Sequence, residues 1–582
     1  MQASAHARGC ATIGYFYAAL EIGKWHDYEV SESDAMQFSR ASLRAGPDAP
    51  PSAQSPYRLL FHQDPVLSLV TAAKWSNYVI AKEWTIDAPK GQRGPHATLS
   101  KHGSRDRPVL HVAYVSRRHH DYPGTQLMLR VFGSHNRSRT DVRAYSTGPN
   151  DKSGYRTVIR NNVDTFVDIL PLSPAEGAEV LLLGPTDAGA PVDIVVDYDG
   201  AHDFNNLALL TRLRNVADRT KIVQPIVVTW LGFASTTGLG NRPSTGHVTA
   251  KYGRGMQLPP GVVPPVRAPI DFIFADSTIL PPDSGAARAT TEHLVFLPGG
   301  CYQPQDEYQA ADAARGADQS VLAHIREHRA PELSPLPTVE DKLALKLDFA
   351  IRMGVKSADA ARFAQHPWIA CLNRVSKITP EAFHSYLQLL NAVAEARLVL
   401  LQDSDDVTRE LKRVAVSHGV RPARLLFFPR APKLEYMQLL SVCAMFVDTR
   451  AYGSHTVGSD AMHMGLPLLT LPGVTMASRV GASLNGAADT PEMVAYTEKE
   501  WLSVGQKLLR NSALLQLMHD KVAKSARGVG NTRMFNSTVF AEGLERAYHG
   551  MRELGHITGE KHVAHHLFFD SKLRKARSSA KA

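Results

Sequence analysis

Cysteine is scarce in this 582-residue sequence: Cys10, Cys301, Cys371 and Cys443 are the only four, and no two form a Cys-x-x-Cys pair. That spacing argues against a disulfide framework and a structural zinc centre, and no metal site is expected. Thiols kept reduced predict the cytoplasm or the nucleus. Long apolar runs are missing as well, since none approaches the roughly 20 residues of a membrane helix. The opening stretch MQASAHARGCATIGYF has no long apolar core followed by a cleavage site, so no secretion is expected. Lys and Arg number 65 against 56 Asp and Glu, a net charge of +9. The excess is scattered, apart from Arg117-Arg118 and the tail beginning at Lys572. No aromatic-interleaved basic stripe accompanies it, so neither nucleic acid nor membrane is expected as a partner.

What is present is alternation. At this length more than one core is needed. Residues 1–105 read as a helical segment with loops: ATIGYFYAALEIGKWHDYE, VSESDAMQFSRASL and, after a Pro/Ser-rich break, PVLSLVTAAKWSNYVIAKEW. Residues 106–304 change to apolar strands separated by amphipathic stretches. The strands are VLHVAYVS (109–116), DVRAYST (141–147), TFVDIL (165–170), VDIVVDY (192–198), PIVVTWL (225–231), DFIFAD (271–276) and the start of EHLVFLPGG (292–300). An aperiodic insertion rich in Gly and Pro occupies 238–268. A helical, charged connector covers 305–360.

The pattern then restarts in residues 361–555 with WIACLN (368–373), RLVLLQ (397–402), ARLLFF (423–428), CAMFVDT (443–449) and PLLTL (467–471). Three helical runs follow, EKEWLSVGQKLLR, SALLQLMHDKVAKSAR and VFAEGLERAYHGMREL, and 556–582 read as a basic tail. Short apolar strands alternating with helices predict an α/β protein with two Rossmann-like, doubly wound domains, an N-terminal helical segment and C-terminal helices. In such sheets ligands collect at the carboxyl ends of the strands, where helix N-termini also point.

Three strand-to-helix turns of the second unit carry suitable chemistry. In SHTVGSDAMHMG, the strand ends near Asp448 and a helix opens at Val457 to Asp460. The free N–H groups of a first helical turn favour a diphosphate. Gly453 and Gly458 let backbone approach a ligand, Thr456 offers a hydroxyl, His455 a ring N–H, and Asp460 an acceptor for ribose hydroxyls. The plain alternative is a capped helix, with Ser454 or Thr456 as the cap. In LNRVSKITPEAF, Lys377 lies just beyond a strand and Thr379-Pro380 starts a helix, so the lysine can neutralise a leaving diphosphate. In RAPKLEYMQLL, Lys433 and Tyr436 overhang the same edge, the ring placed to stack on a base. A surface lysine and a half-buried core tyrosine are the plain alternatives for these two turns.

Taken in order, LNRVSKITP, PRAPKLEYMQLL and DTRAYGSHTVGSDAMHMGLPLLTLPGVTMASRVGASL resemble the catalytic region of the intracellular protein O-GlcNAc transferases and their SPINDLY-type O-fucosyltransferase relatives. HVAYVS, VDIVVDYDG, VVTWLGFASTTG and HLVFLPGGCY extend the resemblance upstream. IGKWHDYE is similar to the segment joining those enzymes' TPR-like helical repeats to the catalytic part.

The resemblance implies a GT-B arrangement and inverting, metal-independent transfer of a sugar to Ser or Thr of a protein. It implies no cofactor beyond the nucleotide-sugar donor, UDP-GlcNAc or GDP-fucose. It places Asn373, Arg374 and Lys377, then Lys433 and Tyr436, then His455, Thr456, Val457, Gly458 and Asp460 at the donor. Val457 stands where the family has a second threonine, Tyr436 where the O-GlcNAc enzymes have a histidine, and Arg374 where they have a glutamine. On the acceptor side, YVSRRHHDYPG puts Arg118 at a family aspartate and Tyr122 at a family histidine. A two-residue shift brings His120 there instead, with His119 beside it. Lys377, His120 and Tyr122 are therefore the expected catalytic positions. Two other functional readings are a homologue that binds the nucleotide sugar without turning it over and a nucleotide-sugar epimerase. The latter would need an acid/base carboxylate pair that these turns do not offer.

Overall fold

The computed structural model describes residues 63–86, 109–184, 190–202, 205–237, 268–297, 301–304, 339–526, 534–558 and 566–568. The first two expected helices, residues 238–267 of the insertion, residues 305–338 of the connector and most of the basic tail lie outside them. The third expected helix forms, at Pro65–Ile86. No described helix is long and apolar enough to cross a membrane.

Thirteen strands among the described residues build two sheets, and every ladder is parallel. The first sheet contains β1 (Leu110–Ser116), β2 (Thr140–Ser146), β3 (Thr165–Asp168), β4 (Ile194–Asp197), β5 (Ile226–Thr229), β6 (Phe272–Ala275) and β7 (His293–Phe296). The second contains β8 (Trp368–Cys371), β9 (Arg397–Leu401), β10 (Leu425–Phe428), β11 (Met445–Val447) and β12 (Leu468–Leu469). A final strand, β13 (His566–Phe568), joins the first sheet. The orders are β13-β7-β6-β5-β4-β1-β2-β3 and β10-β9-β8-β11-β12. All residues of β4, β5 and β6 are buried. That is why IVVD, IVVT and FIFA read as continuous apolar runs: helices cover both faces. Local signals start the covering helices. Ser173 and Glu176 form a reciprocal capping box ahead of Pro174–Leu183. Thr379 accepts from the Ala382 amide, with Pro380 at the first helical position.

In each sheet the chain winds outward on one side of the first strand, then returns to its other side. The switch points therefore lie between β1 and β4 and between β8 and β11. Across the interface, Gln303 donates to the Ser459 hydroxyl at 2.6 Å, Ser483 donates to Asp276 at 2.5 Å, and Arg479 donates to the Thr278 carbonyl at 2.7 Å.

The C-terminal part departs from sequence order. Grouping 361–555 as one unit places the helix Ser537–Thr558 with the second sheet, but its contacts lie with the first. Phe540 stacks on Trp230 with ring centroids 5.5 Å apart, and the Tyr548 hydroxyl lies 3.0 Å from that of Tyr114 on β1. The Tyr114 hydroxyl also meets His135 Nε2 at 2.8 Å, while Glu545 accepts from the Asn136 amide at 2.7 Å and lies 3.1 Å from His135 Nδ1. The basic tail is likewise not all tail, because β13 pairs with β7 from His566↔Leu294 to Phe568↔Phe296.

The His135–Glu545 contact is buried, so its disruption leaves polar groups without water. Burial lowers the His135 pKa against the raising effect of Glu545. For Glu545, burial raises the pKa, but hydrogen bonds from His135 and the Asn136 amide hold it below the usual value. A depressed histidine contributes stability above its unfolded pKa of about 6.5 and loses it as pH falls below that value. The depressed Glu545 acts in the same direction at lower pH. We expect Glu545→Ala to cost about 1–3 kcal/mol, read as a lower urea midpoint near neutral pH. An unchanged midpoint would mean that the helix is held by its aromatic contacts alone. Acidifying the wild-type protein below about pH 6 should lower its midpoint too.

Candidate functional site

The carboxyl ends of β8 and β11 flank the switch point of the second sheet, and the chain places its cationic and helix-opening residues there. Beyond β8, Asn373 is buried and donates to the Ser454 hydroxyl at 2.6 Å. Arg374 is exposed at the start of a single 3-10 turn, Val375–Lys377. Lys377 closes that turn half-buried. Its ammonium donates to the Gly453 carbonyl at 3.0 Å and lies 3.7 Å from the centroid of the Tyr452 ring. Burial lowers its pKa to about 8, with Asp448 acting to raise it and Arg374 to lower it further. The position expected to face a diphosphate thus holds a cation with a desolvated stem and an aromatic floor.

Beyond β11 the loop from Asp448 turns into the helix Thr456–His463. His455 occupies the N-cap position without a side-chain cap, and Thr456 is the first helical residue. The plain capping alternative is therefore not what the hydroxyls do: Ser454 is committed to Asn373. The first-turn N–H groups point away from the helix body, as a helix start dictates. Two expectations change here. His455 Nε2 lies 3.2 Å from the Ala477 carbonyl, and burial lowers its pKa to about 3. A neutral ring has one N–H, and a carbonyl accepts only, so Nε2 carries it and Nδ1 is left as an acceptor. His455 therefore does not offer a free ring N–H to a phosphate in this state. Gly458 does not open toward a ligand either. A Cβ there would meet Ser454 at 3.2 Å, Leu484 at 3.3 Å and Leu468 at 3.4 Å, so its smallness serves core packing. Val457, half-buried, packs against the apolar core.

Lys433 opens the helix Lys433–Val442, and its ammonium pairs with Asp460 at 2.8 Å. Lys433 and Asp460, expected separately at the donor, thus act as one unit. Tyr436 is half-buried one turn on, its ring centroid 5.6 Å from the Lys433 ammonium.

The first sheet supplies the facing wall. Its β1 ends in the loop carrying Arg117 to Tyr122, and the short helix that follows, Pro123–Met128, packs against Thr456–His463. The Arg118 guanidinium sits 4.3 Å from the Tyr122 ring centroid and 3.8 Å from Asp199. Asp199 also accepts from the Ser116 hydroxyl, the Arg117 amide and Asn206. His120 is half-buried near the rim, 3.9 Å from Asp151 and 6.1 Å from Tyr122 between ring centroids. His119 turns the other way, fully buried among Phe132, Phe166 and Tyr198, and burial lowers its pKa to about 3.

Sequence reasoning missed three contributors. Tyr452, in the stretch AYGSH, forms the floor under Lys377 and meets His455 edge-on at 4.9 Å. Asp199 anchors the Arg118 loop, and DYDG after a strand was a signal for it. Gln63, from the segment before the first sheet, donates to the Ala451 carbonyl and accepts from the Val474 amide, tying two loops of the second sheet. No pattern in the sequence points to that contact. Among the described residues no cluster of three or more His, Cys, Asp or Glu is arranged to hold a metal ion.

Comparison with known proteins agrees with this arrangement. The family described as glycosyl transferase family 41 matches residues 23–241 and 342–544, well over half of the chain. A protein from Arabidopsis thaliana, named as a probable UDP-N-acetylglucosamine–peptide N-acetylglucosaminyltransferase SEC, is 25% identical over 514 residues, covering 88% of this chain and 44% of that protein. The Caenorhabditis elegans UDP-N-acetylglucosamine–peptide N-acetylglucosaminyltransferase is 22% identical over 628 residues, covering 94% of this chain and 50% of its own. A probable enzyme of the same name with the designation SPINDLY, from Oryza sativa, is 26% identical over 62% of this chain and 30% of its own. The chain thus spans half or less of the length of these relatives. A solved structure of a mutant Thermobaculum terrenum O-GlcNAc transferase has the same fold, with a TM-score of 0.64 at 21% identity, covering 93% of this chain and 84% of that one. On its two parallel sheets and the extent of the match, the chain belongs to glycosyl transferase family 41.

Proposed function

We infer that the chain is a protein O-glycosyltransferase that moves GlcNAc from UDP-GlcNAc to a Ser or Thr hydroxyl of an intracellular protein, with inversion and without a metal. The observation that carries this reading is the half-buried Lys377 ammonium beside the opening of the helix at Thr456. As the bond between sugar and diphosphate breaks, negative charge grows on the diphosphate. A fixed cation and first-turn N–H groups in a desolvated site stabilise that charge more than they stabilise the ground state. The Lys433–Asp460 pair is suited to the ribose side, and Tyr436 to the base. The family membership and the names of the similar proteins support the substrate class. GDP-fucose is the second donor to test, because SPINDLY relatives are among the matches.

The test is the intact mass of a Ser/Thr-rich acceptor protein after incubation with the chain and each donor in turn. A hexosamine-sized gain with UDP-GlcNAc is expected. A deoxyhexose-sized gain with GDP-fucose alone would replace the donor. Nucleotide binding without any gain would favour the binding-only reading, for which the Arg118–Asp199 contact in place of a free acid is the specific observation.

Three predictions follow from the geometry. Lys377→Met should lower kcat about 10²- to 10³-fold while the protein melts as the wild type does. Wild-type kcat/KM should fall as pH rises through about 8, the pH at which Lys377 loses its proton. Lys433→Met leaves Asp460 buried without this cation and should raise the donor KM about tenfold. Steady-state kinetics across pH would check all three, and a pH-independent kcat/KM would remove Lys377 from the step.

A further inference from the structure

The Asp448 side chain, at the end of β11, has no part in the reading above, yet it is only 3% exposed. Its carboxylate accepts from the Ser454 amide at 2.6 Å and from the Thr470 hydroxyl at 2.7 Å. Its own carbonyl accepts from the Tyr386 hydroxyl at 2.8 Å, which fixes the strand end. These contacts set the shape of the loop that carries Gly453, and the Gly453 carbonyl is what the Lys377 ammonium holds. The space is closed around the carboxylate: a Cβ on Gly481 would lie 2.2 Å from Oδ2, and one on Gly453 would lie 3.4 Å from it.

The charged and titratable groups around this point come from four elements. Lys377, Arg374 and Cys371 lie at the end of β8, Tyr386 on the helix Pro380–Ala392, Arg450 on the loop itself and His455 at the next helix start. Cys371 is pushed up to about 12, first by burial, and the same burial leaves His455 neutral. Tyr386 is raised well above its ordinary value, again by burial first. Glu498 pairs with Arg450, and Asp403 accepts from the Val375 amide beside Arg374; Asp448 is the carboxylate that acts on Lys377. Burial pushes its own pKa up, while Ser454, Thr470 and the Lys377 charge act to lower it.

We propose that Asp448 is a positioning residue for this transfer: its carboxylate shapes the loop between β11 and His455 and, through the Gly453 carbonyl that the Lys377 ammonium holds, sets where that ammonium stands at the diphosphate. The proposal rests on the donor-site reading above. It differs from a merely structural role in one respect: a structural aspartate would need only its two donors, whereas the Asp448 charge also acts to raise the pKa of Lys377.

Binding of UDP, and separately GDP, to the full chain can be followed by calorimetry across pH, with circular dichroism as the check on folding. Asp448→Asn keeps the shape and can still accept from the Ser454 amide. Nucleotide binding in this variant should be lost at a midpoint about one pH unit lower than in the wild type. Near neutral pH it should bind about tenfold more weakly. Adding Arg374→Gln removes an opposing positive charge and should move the midpoint back up. Thr470→Val removes one donor to the carboxylate without touching Lys377, so affinity should drop about threefold.

A wild-type chain that binds neither nucleotide overturns the donor-site reading and the proposal with it. A wild type that binds, with an unchanged midpoint in Asp448→Asn, overturns the proposal alone. So does a Thr470→Val variant that binds as the wild type does, an arm that stands even where Asp448→Asn fails to fold.

Discussion

Every ladder in both sheets is parallel, and that constraint arranges all that follows. Parallel neighbours cannot be joined by a tight turn, so each strand must hand over to a crossing element before the next begins. All carboxyl ends of a sheet therefore lie along one edge, and helix N-termini gather at the same edge. Where the winding reverses, two adjacent loops diverge and leave a crevice. In the second sheet those loops are Asn373–Lys377 and Asp448–His455; in the first they are Arg117–Tyr122 and the turn bearing Asp199. The packing of Pro123–Met128 against Thr456–His463 brings the two edges together.

Within the crevice, burial does most of the electrostatic work. It lowers Lys377, removes the charge from His455 and raises Asp448, so each ionised group depends on a specific neighbour rather than on water. The crevice brings together an ammonium and a helix start, groups whose charge and dipole suit an anion. Opposite them, Arg118 is packed on Tyr122 and drawn toward Asp199, a cationic wall at the position where the sequence resemblance implied an acid.

The strands were legible because buried parallel strands announce themselves as short β-branched runs between turns. IVVD, IVVT and FIFA are such runs, and the structure forms each within a residue or two of the expected bounds. Lys377, Lys433 and Thr456 were legible because they sit at strand-to-helix turns, where position follows from topology. The proton on His455 was not legible, since it depends on Ala477, far along the chain. Gly458 was misread because a glycine that admits a ligand and one that admits a leucine look alike in sequence. The strand at His566–Phe568 was hidden by brevity: three residues carry no periodicity, and their pairing is set by β7 alone. Glu545 and Tyr548, three residues apart on the helix Ser537–Thr558, share a face, but nothing local says which sheet that face will meet.

The pairing of β13 with β7 has a consequence for how the molecule is made. His135 and Glu545 are separated by 410 positions, and Leu294 on β7 pairs with His566 of its last neighbour, β13. During synthesis the amino-terminal sheet must stand with an open edge and an uncovered Tyr114 until the entire second sheet has emerged. An exposed parallel edge is a template for pairing with another nascent chain. The two units are therefore not independent in time. The first cannot close until the second has been built, and conditions that slow elongation past β12 lengthen the interval in which intermolecular pairing competes with the native one.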